Sequence, residues 1–376
     1  MIYLDAGATT LRKPPEVARA MLRAMEQCAS PGRGGHEAAM AAAEAVYDCR
    51  VRAAALFDAQ PEQVVFTMNA THALNLAIKT LVKPGGRAVI SGFEHNAVLR
   101  PLHHLGAEII VAGRRLFDPA DTLAAFEAAV TPDTQAVVCT HVSNVFGYIL
   151  PLEEIAALCR ARGVPLIVDA SQSAGVLEVN LTGWGAAFAA MPGHKGLYGP
   201  QGTGLLLCAA EAEPLLFGGT GSQSRRQEMP QDLPDRLEAG THNMPGIAGL
   251  LEGIRFVRGL GTEEIARRER QTARRASELL REVPGVEVFA REDFAHQTGV
   301  LSFRVRGMDC ETLGEQLAAR GIAVRAGLHC APLAHRTAGT LETGTVRISP
   351  SVFTSAWQVE RFAAEVQQIV RENVRL

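Results

Sequence analysis

Residues 135–170 read QAVVCTHVSNVFGYILPLEEIAALCRARGVPLIVDA, and this stretch decides the fold class. It begins with the short apolar run QAVVCT (135–140) and ends with a second one, VPLIVDA (164–170). The helix-like segment LEEIAALCRARG lies between the two runs and stops at Gly163. Two short apolar strands joined by an amphipathic helix are typical of parallel strands in a sheet that is buried on both faces. The stretch therefore predicts an α/β unit.

The same alternation precedes this stretch. The chain runs through QVVFT (63–67), a predicted helix near 71–82, RAVIS (87–91), EIIVA (108–112) and a predicted helix near 122–130. Repetition of this pattern predicts an α/β fold with a mostly parallel sheet. Ligands bind such sheets beyond the carboxyl ends of the strands, so the polar residues that follow the strands are candidates for a functional site.

The last third of the chain shows a different pattern. A long helix is predicted near 245–283, and it is followed by the strands VLSFRV (300–305), IAVRAG (322–327) and TVRISP (345–350) and by helices near 309–320 and 356–372. This pattern predicts a smaller α+β domain. Because 376 residues exceed the usual size of a single hydrophobic core, we predict a large domain at 15–255 and a small domain that combines 1–14 with 256–376.

The composition is that of a globular protein without a signal for nucleic-acid binding. Hydrophobic residues make up 47% and charged residues 20% of the chain, and the formal net charge is −3. The densest group of arginines comprises Arg267, Arg268, Arg270, Arg274 and Arg275. These arginines alternate with Glu263, Glu264 and Glu269, a pattern that favours a solvated helix face. We therefore expect no nucleic-acid partner.

The sequence contains no pattern that predicts export or membrane insertion. The opening MIYLDAGATT lacks a basic stretch followed by an apolar run, and no window approaches 18 uninterrupted apolar residues. The seven cysteines form no CxxC pair, so a zinc site or a redox dithiol is not expected. We expect a cytoplasmic location with reduced thiols, and no metal.

The glycine-rich segment MPGHKGLYGPQGTG (191–204) holds the most informative lysine. Lys195 follows His194 and stands among five glycines, in a segment that is not a helix face. An exposed loop lysine is one interpretation. The other is an amine whose pKa falls on partial burial and which condenses with an aldehyde to form a Schiff base. The glycines would let the backbone bend closely around a ligand.

Asp169 ends the apolar run VPLIVD, where a bound ring would meet the edge of the sheet. A carboxylate there could pair with a pyridinium nitrogen and make the ring an electron sink, or it could cap the next segment. Gln172 follows three residues later and could donate to a phenolic oxygen, although a loop amide is equally consistent with the pattern.

Three further segments place polar residues after predicted strands. In FTMNATHALNLA, the turn at Asn69, Ala70 and Thr71 opens a helix whose free amides suit a phosphate monoester, and a plain helix cap fits equally well. His95, in SGFEHNAV, could stack on an aromatic ring or lie at the surface. Asn144, in HVSNVFG, also follows a strand.

Cys330 differs from the other cysteines because it lies in RAGLHCAPLAHRTAG, a segment rich in small residues. Arg325, His329 and His335 flank it, and cationic neighbours favour the nucleophilic thiolate. A buried structural thiol is the alternative. Arg347, in TVRISP, could bind a carboxylate with two parallel hydrogen bonds or form a surface ion pair.

Taken together and in this order, these segments resemble the class V aminotransferase group of fold-type I pyridoxal-phosphate (PLP) enzymes, in its cysteine desulfurase and selenocysteine lyase branch. The resemblance extends from IYLDAGATT to TVRISPSVF, nearly the whole chain. It is carried by FTMNATHALNL, FEHNAV, THVSNVFGYILPL, VDASQSAG, GHKGLYGP, LEAGTHN and RAGLHCAP. It implies a large domain built on a mostly parallel sheet of the seven-stranded type. It also implies that the protein is a homodimer.

The resemblance also implies the residues that hold PLP. Lys195 would form the Schiff base, Asp169 would pair with the pyridine nitrogen, His95 would stack on the ring, and Gln172 would contact its phenolate oxygen. The remaining predicted cofactor contacts are Ala70, Thr71, His194 and Asn144, together with Thr241 from the other subunit.

For the substrate, the resemblance implies that Asn144 and Arg347 bind the carboxylate, with His36 and Arg325 nearby. Cys330 would accept the sulfur, so that Lys195, His95 and Cys330 are the predicted catalytic residues. The predicted reaction converts L-cysteine to L-alanine and leaves a persulfide on the enzyme, from which an acceptor protein could take the sulfur. The alternative is a selenocysteine lyase, or a lyase or transaminase of the same fold that uses no persulfide.

The chain departs from the family pattern at several places. Pro192 stands where a serine or threonine is usual, so one hydroxyl contact to the phosphate is missing. Ala6 and Gly7 replace a usual asparagine–alanine pair, and the stretch 333–344 differs from the better-known desulfurases.

Two other classes of protein remain as competing hypotheses. A nucleotide-dependent oxidoreductase would need G-x-G-x-x-G after an early strand, and no such motif stands there. A non-catalytic scaffold would give no reason for Lys195, Asp169 and Cys330 to occur together.

Overall fold

The computed structural model describes residues 1–32 and 34–373, and these residues form strands and helices in alternation. The strands are β1 (Ile2–Tyr3), β2 (Val64–Thr67), β3 (Arg87–Ser91), β4 (Glu108–Ala112), β5 (Thr134–Thr140), β6 (Leu166–Asp169), β7 (Phe188–Pro192), β8 (Gly204–Cys208), β9 (Val286–Phe289), β10 (Leu301–Val305), β11 (Ile322–Ala323), β12 (Arg325–Gly327) and β13 (Thr345–Ile348). The α-helices are α1 (Pro15–Gln27), α2 (Glu37–Leu56), α3 (Ala70–Leu81), α4 (Asn96–His104), α5 (Pro119–Ala129), α6 (Leu152–Arg162), α7 (Leu181–Trp184), α8 (Met244–Leu260), α9 (Thr262–Arg281), α10 (Cys310–Ala319), α11 (Pro332–Thr337) and α12 (Ala356–Asn373).

Strands β2 to β8 form one seven-stranded sheet in the order β2-β8-β7-β6-β5-β3-β4. Strand β8 is antiparallel to both of its neighbours, and the other pairs are parallel. The opening stretch supplies β5 and β6, which pair from Val137 opposite Leu166 to Thr140 opposite Asp169. The predicted α/β fold with a mostly parallel sheet is therefore confirmed.

Apolar residues bury both faces of this sheet, as the unbroken hydrophobic strands require. On one face, Leu74 and Ala77 of α3 pack with alternate residues of the strands, such as Val138 of β5. On the other face, helices α2 and α6 pack against Val137 and Cys139 of the same strand. The sheet thus lies between two layers of helices. The carboxyl ends of its parallel strands are not covered by these layers, and polar residues lie there.

A second, four-stranded antiparallel sheet has the order β12-β13-β10-β9, and its hydrophobic core includes residues of α9, α10 and α12. The first strand, β1, pairs in parallel with β11 beside this sheet. The domain division at 15–255 remains a prediction, because α8 runs across residue 255. The last residues of the predicted small domain, 374–376, lie outside the described residues.

The prediction of one long helix near 245–283 was wrong. Two helices, α8 and α9, occupy this range and are separated by Gly261. Gly261 has a φ of +85°, a conformation that residues with a side chain rarely adopt, so the helical path breaks there.

The prediction that Glu269 lies on a solvated helix face was also wrong. Arg267 and Arg268 are exposed and pair with Glu264, whereas Glu269 is only 9% exposed. The hydroxyl of Tyr198 donates to Glu269 Oε1 at 3.4 Å, and burial raises the pKa of Glu269 to about 8. The charge alternation along α9 therefore holds for one face of the helix only.

Among residues 1–32 and 34–373, none of the helices combines the length and the hydrophobicity that a bilayer span requires.

A buried ion pair joins α2 to the segment before α8. The guanidinium of Arg50 forms two hydrogen bonds with the carboxylate of Glu238, which also accepts from Phe66 N at 2.6 Å and contacts His242 Nε2 at 2.7 Å. Burial alone would raise the pKa of Glu238, but His242 and Arg50 together lower it below its usual value. Glu238 is therefore ionised and balances the buried charge of Arg50.

We expect Glu238→Gln to destabilise the fold by about 3–5 kcal/mol, because it leaves Arg50 buried without a counter-charge. Urea unfolding followed by circular dichroism measures this loss. Glu264→Gln is the matched control, since its arginine partners are exposed and it should leave the unfolding midpoint nearly unchanged. Equal effects of the two substitutions would contradict the assigned role of the buried pair.

Candidate active site

A cavity of about 110 Å³ lies where β5, β6 and β7 end and where α3 and α4 begin. The predicted cofactor-binding residues apart from Thr241 all line it. The complete lining comprises Asn69, Ala70, Thr71, His95, Ala97, Thr140, Val142, Asn144, Asp169, Ser171, Gln172, Pro192, His194 and Lys195. The topology explains this convergence, because parallel strands bring their carboxyl ends to one edge of the sheet.

Lys195 lies in the turn between β7 and β8, and the glycines around it are needed for close backbone contacts. A Cβ atom on Gly193 would lie 2.2 Å from Thr203 Oγ1, and one on Gly196 would lie 2.4 Å from the carbonyl oxygen of Ala174. Burial lowers the pKa of Lys195 to about 8, although the negative charge of Asp169 opposes this shift. The amine is therefore closer to its neutral, nucleophilic form than an ordinary lysine.

Asp169 is buried at the end of β6, beside Thr140 of β5. Its Oδ1 accepts a hydrogen bond from Ser171 N at 2.9 Å, and its charge acts on both Lys195 and His95. A carboxylate in this position can pair with a cationic group in the cavity. Gln172 also lines the cavity, and its amide donates to the carbonyl oxygen of Gly7 at 2.9 Å.

The N-terminus of α3 can bind an anion. Asn69 caps the helix by accepting from His72 N at 2.9 Å, and the first-turn amides of Ala70 and Thr71 have no carbonyl partner within a helix. On the other side of the cavity, His194 Nδ1 is buried without a hydrogen-bond partner. Burial lowers the pKa of His194 to about 4, so its neutral ring can donate to or accept from a ligand.

His95 caps α4, because its Nδ1 accepts a hydrogen bond from Ala97 N at 3.0 Å. Burial lowers the pKa of this ring, so His95 is a neutral imidazole whose orientation is set by the cap. The next residue, Asn96, donates its backbone N–H to the carbonyl oxygen of Cys330 at 2.8 Å. This bond links the wall of the cavity to the segment that carries the predicted nucleophile.

Cys330 is exposed and lies at the edge of the cavity rather than in its lining. Asn144, which does line the cavity, donates from Nδ2 to the carbonyl oxygen of His329 at 2.8 Å. His329 and Cys330 both have positive φ values, +50° and +55°, so the chain turns sharply at the thiol. The turn is thus hydrogen-bonded to Asn144 of the cavity lining and to Asn96, the neighbour of His95.

The expectation of cationic histidines beside Cys330 was wrong. Burial lowers the pKa of His329 to about 2 and that of His335 to about 4, so both rings are neutral. His329 Nε2 contacts Thr345 Oγ1 and His335 Nδ1 contacts Thr340 Oγ1, which shows that the two rings are packed polar groups of the interior. Of the flanking residues named from the sequence, Arg325 is the cation.

Arg347 and Arg325 share one carboxylate, that of Asp5. Arg347 is buried and donates to Asp5 Oδ1 at 2.9 Å and to the carbonyl oxygen of Asn144 at 2.8 Å. Arg325 donates to Asp5 from both Nε and Nη2. Arg347 Nε is buried without a partner and remains as a possible donor to a ligand. Asp5 has no local signal in the sequence, because both arginines that it binds are more than 300 residues away in the chain.

Five predicted site residues do not line this cavity, namely Cys330, Arg325 and Arg347, described above, together with His36 and Thr241. His36 is exposed and caps α2, accepting from Ala39 N at 3.3 Å. The motif around it includes residue 33, which lies outside the described residues. Thr241 lines a second cavity of about 220 Å³ with Thr67 and Met68. Contact of Thr241 with a cofactor in another subunit stays a prediction.

The cavity also contains hydroxyl groups that the sequence analysis did not identify. Thr140 and Ser171 line it at the ends of β5 and β6. Pro192 lines it as well, where the expected hydroxyl is absent, and pairs in the sheet with Gly204. A polar residue directly after an apolar strand was the available signal for Thr140 and Ser171.

Comparison with known proteins places this geometry in context. The family model described as Aminotransferase class-V matches residues 2–362. The chain is 31% identical to a probable cysteine desulfurase of Methanothermobacter thermautotrophicus, over 98% of this chain and 94% of the relative. Among solved structures, the apo cysteine desulfurase of Thermococcus onnurineus has a TM-score of 0.90 and 32% identity, covering 99% of this chain and 95% of the other. The cysteine desulfurase CsdA of Escherichia coli has a TM-score of 0.85 and 25% identity, covering 98% of this chain and 94% of the other.

Proposed function

The chain belongs to the class V aminotransferase family, and on that premise we propose that it is a PLP-dependent cysteine desulfurase. One observation carries the proposal. Lys195 and Asp169 line the same cavity, and the turn that bears Cys330 is hydrogen-bonded to Asn144 of its lining and to Asn96, which lies between two lining residues in the chain. An amine, a carboxylate and a thiol therefore stand around one site.

The residues present fit PLP. The free amides of Ala70 and Thr71 and the unpartnered His194 Nδ1 suit the phosphate, as helix N-termini generally bind anions. Lys195 supplies the amine for the aldehyde, and Asp169 the carboxylate for the pyridine nitrogen. When bound there, PLP withdraws electrons from the substrate's α-carbon.

The chain's own groups account for the remaining chemistry. The Lys195 amine, with its lowered pKa, takes and returns the proton at the α-carbon. The Cys330 thiolate attacks the sulfur of the substrate, so that an S–S bond forms and the bond from that sulfur to the β-carbon breaks. The electron pair of the broken bond goes to the substrate carbon, which is protonated to give alanine. One cysteine and the Cys330 thiol thus become one alanine and a persulfide on Cys330.

Arg347 and Asn144 are proposed to hold the substrate carboxylate. Arg347 Nε is buried without a partner, and Asn144 Nδ2 has a second N–H besides the one that it donates to the carbonyl oxygen of His329. The two residues are joined by the bond from Arg347 to the Asn144 backbone carbonyl oxygen. Asp5 keeps the guanidinium in place through its hydrogen bond to Arg347. This arrangement orients a planar donor next to Lys195, whose pKa the charge of Arg347 also lowers.

We expect Arg347→Lys to raise the KM for cysteine by about tenfold or more, because lysine cannot reproduce the planar donor set of arginine. Steady-state kinetics of alanine formation measure the effect. The matched control is Arg304→Lys on β10, where the guanidinium pairs with Glu287 instead. A KM that stays at the wild-type value in Arg347→Lys would remove Arg347 from the substrate site.

A homodimer and a thiol-bearing acceptor complete the proposal. Thr241 lies outside the cavity of its own chain, which supports its predicted contact with a cofactor in the second subunit. The exposure of Cys330 supports direct removal of its sulfur by an acceptor protein. A cytoplasmic location agrees with a reactive thiol that must stay reduced.

Product analysis tests the function. Purified holoenzyme incubated with L-cysteine and a thiol reductant should release alanine and sulfide in equal amounts. Formation of a keto acid without sulfide would instead support a transaminase of the same fold. The relatives are named cysteine desulfurases, and no observation on this chain favours the selenocysteine lyase alternative.

A further inference from the structure

A carboxyl group without access to solvent lies beneath the candidate site. Glu94 precedes His95 in the chain and is fully buried between the ends of β3 and β5. Its Oε1 accepts from Ser91 Oγ at 2.5 Å and from Thr140 N at 2.7 Å. The Glu94 side chain thus joins the end of β3 to the end of β5, and the residues that follow these two strands line the cavity.

The hydrogen bonds from Ser91 and Thr140 favour a negative charge on Oε1 of Glu94, but the rest of its surroundings oppose one. Its Oε2 is buried and has no hydrogen-bond partner. Two titratable groups face it, Asp169 at the end of β6 and the thiol of Cys139 in β5. Asp169 carries a charge of the same sign, and Cys139 is a buried thiol whose pKa burial raises well above its usual value. An ionised, unsolvated oxygen would be far more unfavourable here than a neutral one.

We propose that Glu94 is a positioning residue that works as an uncharged acid. It ties the end of β3 to the end of β5, and it thereby fixes the start of the segment in which His95 caps α4 and Asn96 binds Cys330. Because it is neutral, the negative charge at this end of the sheet stays on Asp169, where the pyridine nitrogen would bind. The last point rests on the proposed function.

The direction of the pKa shift agrees with this role. Burial raises the pKa of Glu94 from 4.5 to about 8, and Asp169 adds to the increase. A carboxyl group whose pKa is higher in the folded state favours folding most at low pH. That contribution is complete below the unfolded pKa near 4.5 and is lost as the pH rises through about 8.

Two substitutions of Glu94 test whether its side chain acts as a neutral acid or as a charged carboxylate. Glu94→Gln keeps the shape and an oxygen for Ser91 and Thr140 but cannot ionise, whereas Glu94→Ala removes both hydrogen bonds. At pH 7 we expect the dissociation constant for PLP to stay within about threefold of wild type in Glu94→Gln and to rise about tenfold or more in Glu94→Ala. Fluorescence titration of the apoenzyme with PLP measures both values.

Thermal unfolding of the apoenzyme from pH 6.5 to 9.5 supplies a readout that needs no cofactor. We expect wild-type Tm to fall relative to that of Glu94→Gln between pH 6.5 and about 8, where only the folded state still holds the proton, and the difference to level off above about 8. Glu127→Gln, on the exposed face of α5, is the matched control and should follow wild type.

Two results would overturn the inference: a Glu94→Gln variant that binds PLP as weakly as Glu94→Ala at pH 7, or wild type and Glu94→Gln with the same Tm profile. If the Glu94→Ala variant does not fold, the PLP dissociation constants and Tm profiles of wild type and Glu94→Gln are sufficient to test the inference. If wild type itself binds no PLP, the proposed function fails, and the Tm profiles still judge the charge state of Glu94.

Discussion

Replacing Lys195 by alanine should abolish covalent attachment of PLP and lower kcat by about 10⁴-fold or more, which exceeds the usual contribution of one acid–base group. Lys195 is the lysine that lines the cavity in the described part of the chain, and its pKa is lowered to about 8. Removal of its amine eliminates both the attachment point and the proton carrier. The visible absorption spectrum and the rate of alanine formation measure the two losses.

Lys83→Ala is the control for this substitution, because Lys83 is exposed and does not line the cavity. It should keep the spectrum and the activity of wild type. A Lys195→Ala enzyme with wild-type turnover would refute the proposed mechanism as a whole, including the assignments of Asp169 and Cys330.

Replacing Cys330 by alanine should separate cofactor binding from sulfur chemistry. The thiol lies at the edge of the cavity and not in its lining, so the variant should bind PLP with the wild-type spectrum. It should lose sulfide release from cysteine, because no thiolate remains to take the sulfur. Mass spectrometry of wild type after reaction with cysteine should show one added sulfur atom on the peptide that contains Cys330.

Cys28→Ala is the matched control, since Cys28 is the other cysteine that is not fully buried in the described residues. It should retain full desulfuration. Unchanged sulfide production by Cys330→Ala would exclude the persulfide step, and retained release of selenide from selenocysteine alone would point to a lyase.

Much of the fold could be predicted because its signals are local. RAVIS and EIIVA coincide with β3 and β4, since a short apolar run can be buried as a parallel strand whatever follows it. The break at Gly261 was missed because the hydrophobic pattern continues on both sides of it. Glu269 was misplaced for a related reason: charge alternation does not tell which turn of a helix faces the core.

The site could be predicted to the extent that it follows from topology. Asp169 ends β6 and Asn144 follows shortly after β5, and parallel strands bring such residues together. Asp5 was missed because its arginine partners are more than 300 residues away in the chain. Glu94 was missed because burial, which the sequence does not show, decides its charge. Burial also explains the wrong prediction for the histidines near Cys330. The sequence suggests cationic side chains there, but burial lowers their pKa values and both rings are neutral in the folded chain.

The sharp turn at residues 329–330 has a kinetic consequence. Its backbone is hydrogen-bonded to Asn96 and Asn144, so a sulfur atom carried by Cys330, as proposed, could not be moved far by motion of the chain. Delivery must then occur by collision at the protein surface. At saturating cysteine, we expect turnover to be limited by the concentration of the accepting thiol, and a loaded enzyme that meets no acceptor should stall after a single cycle.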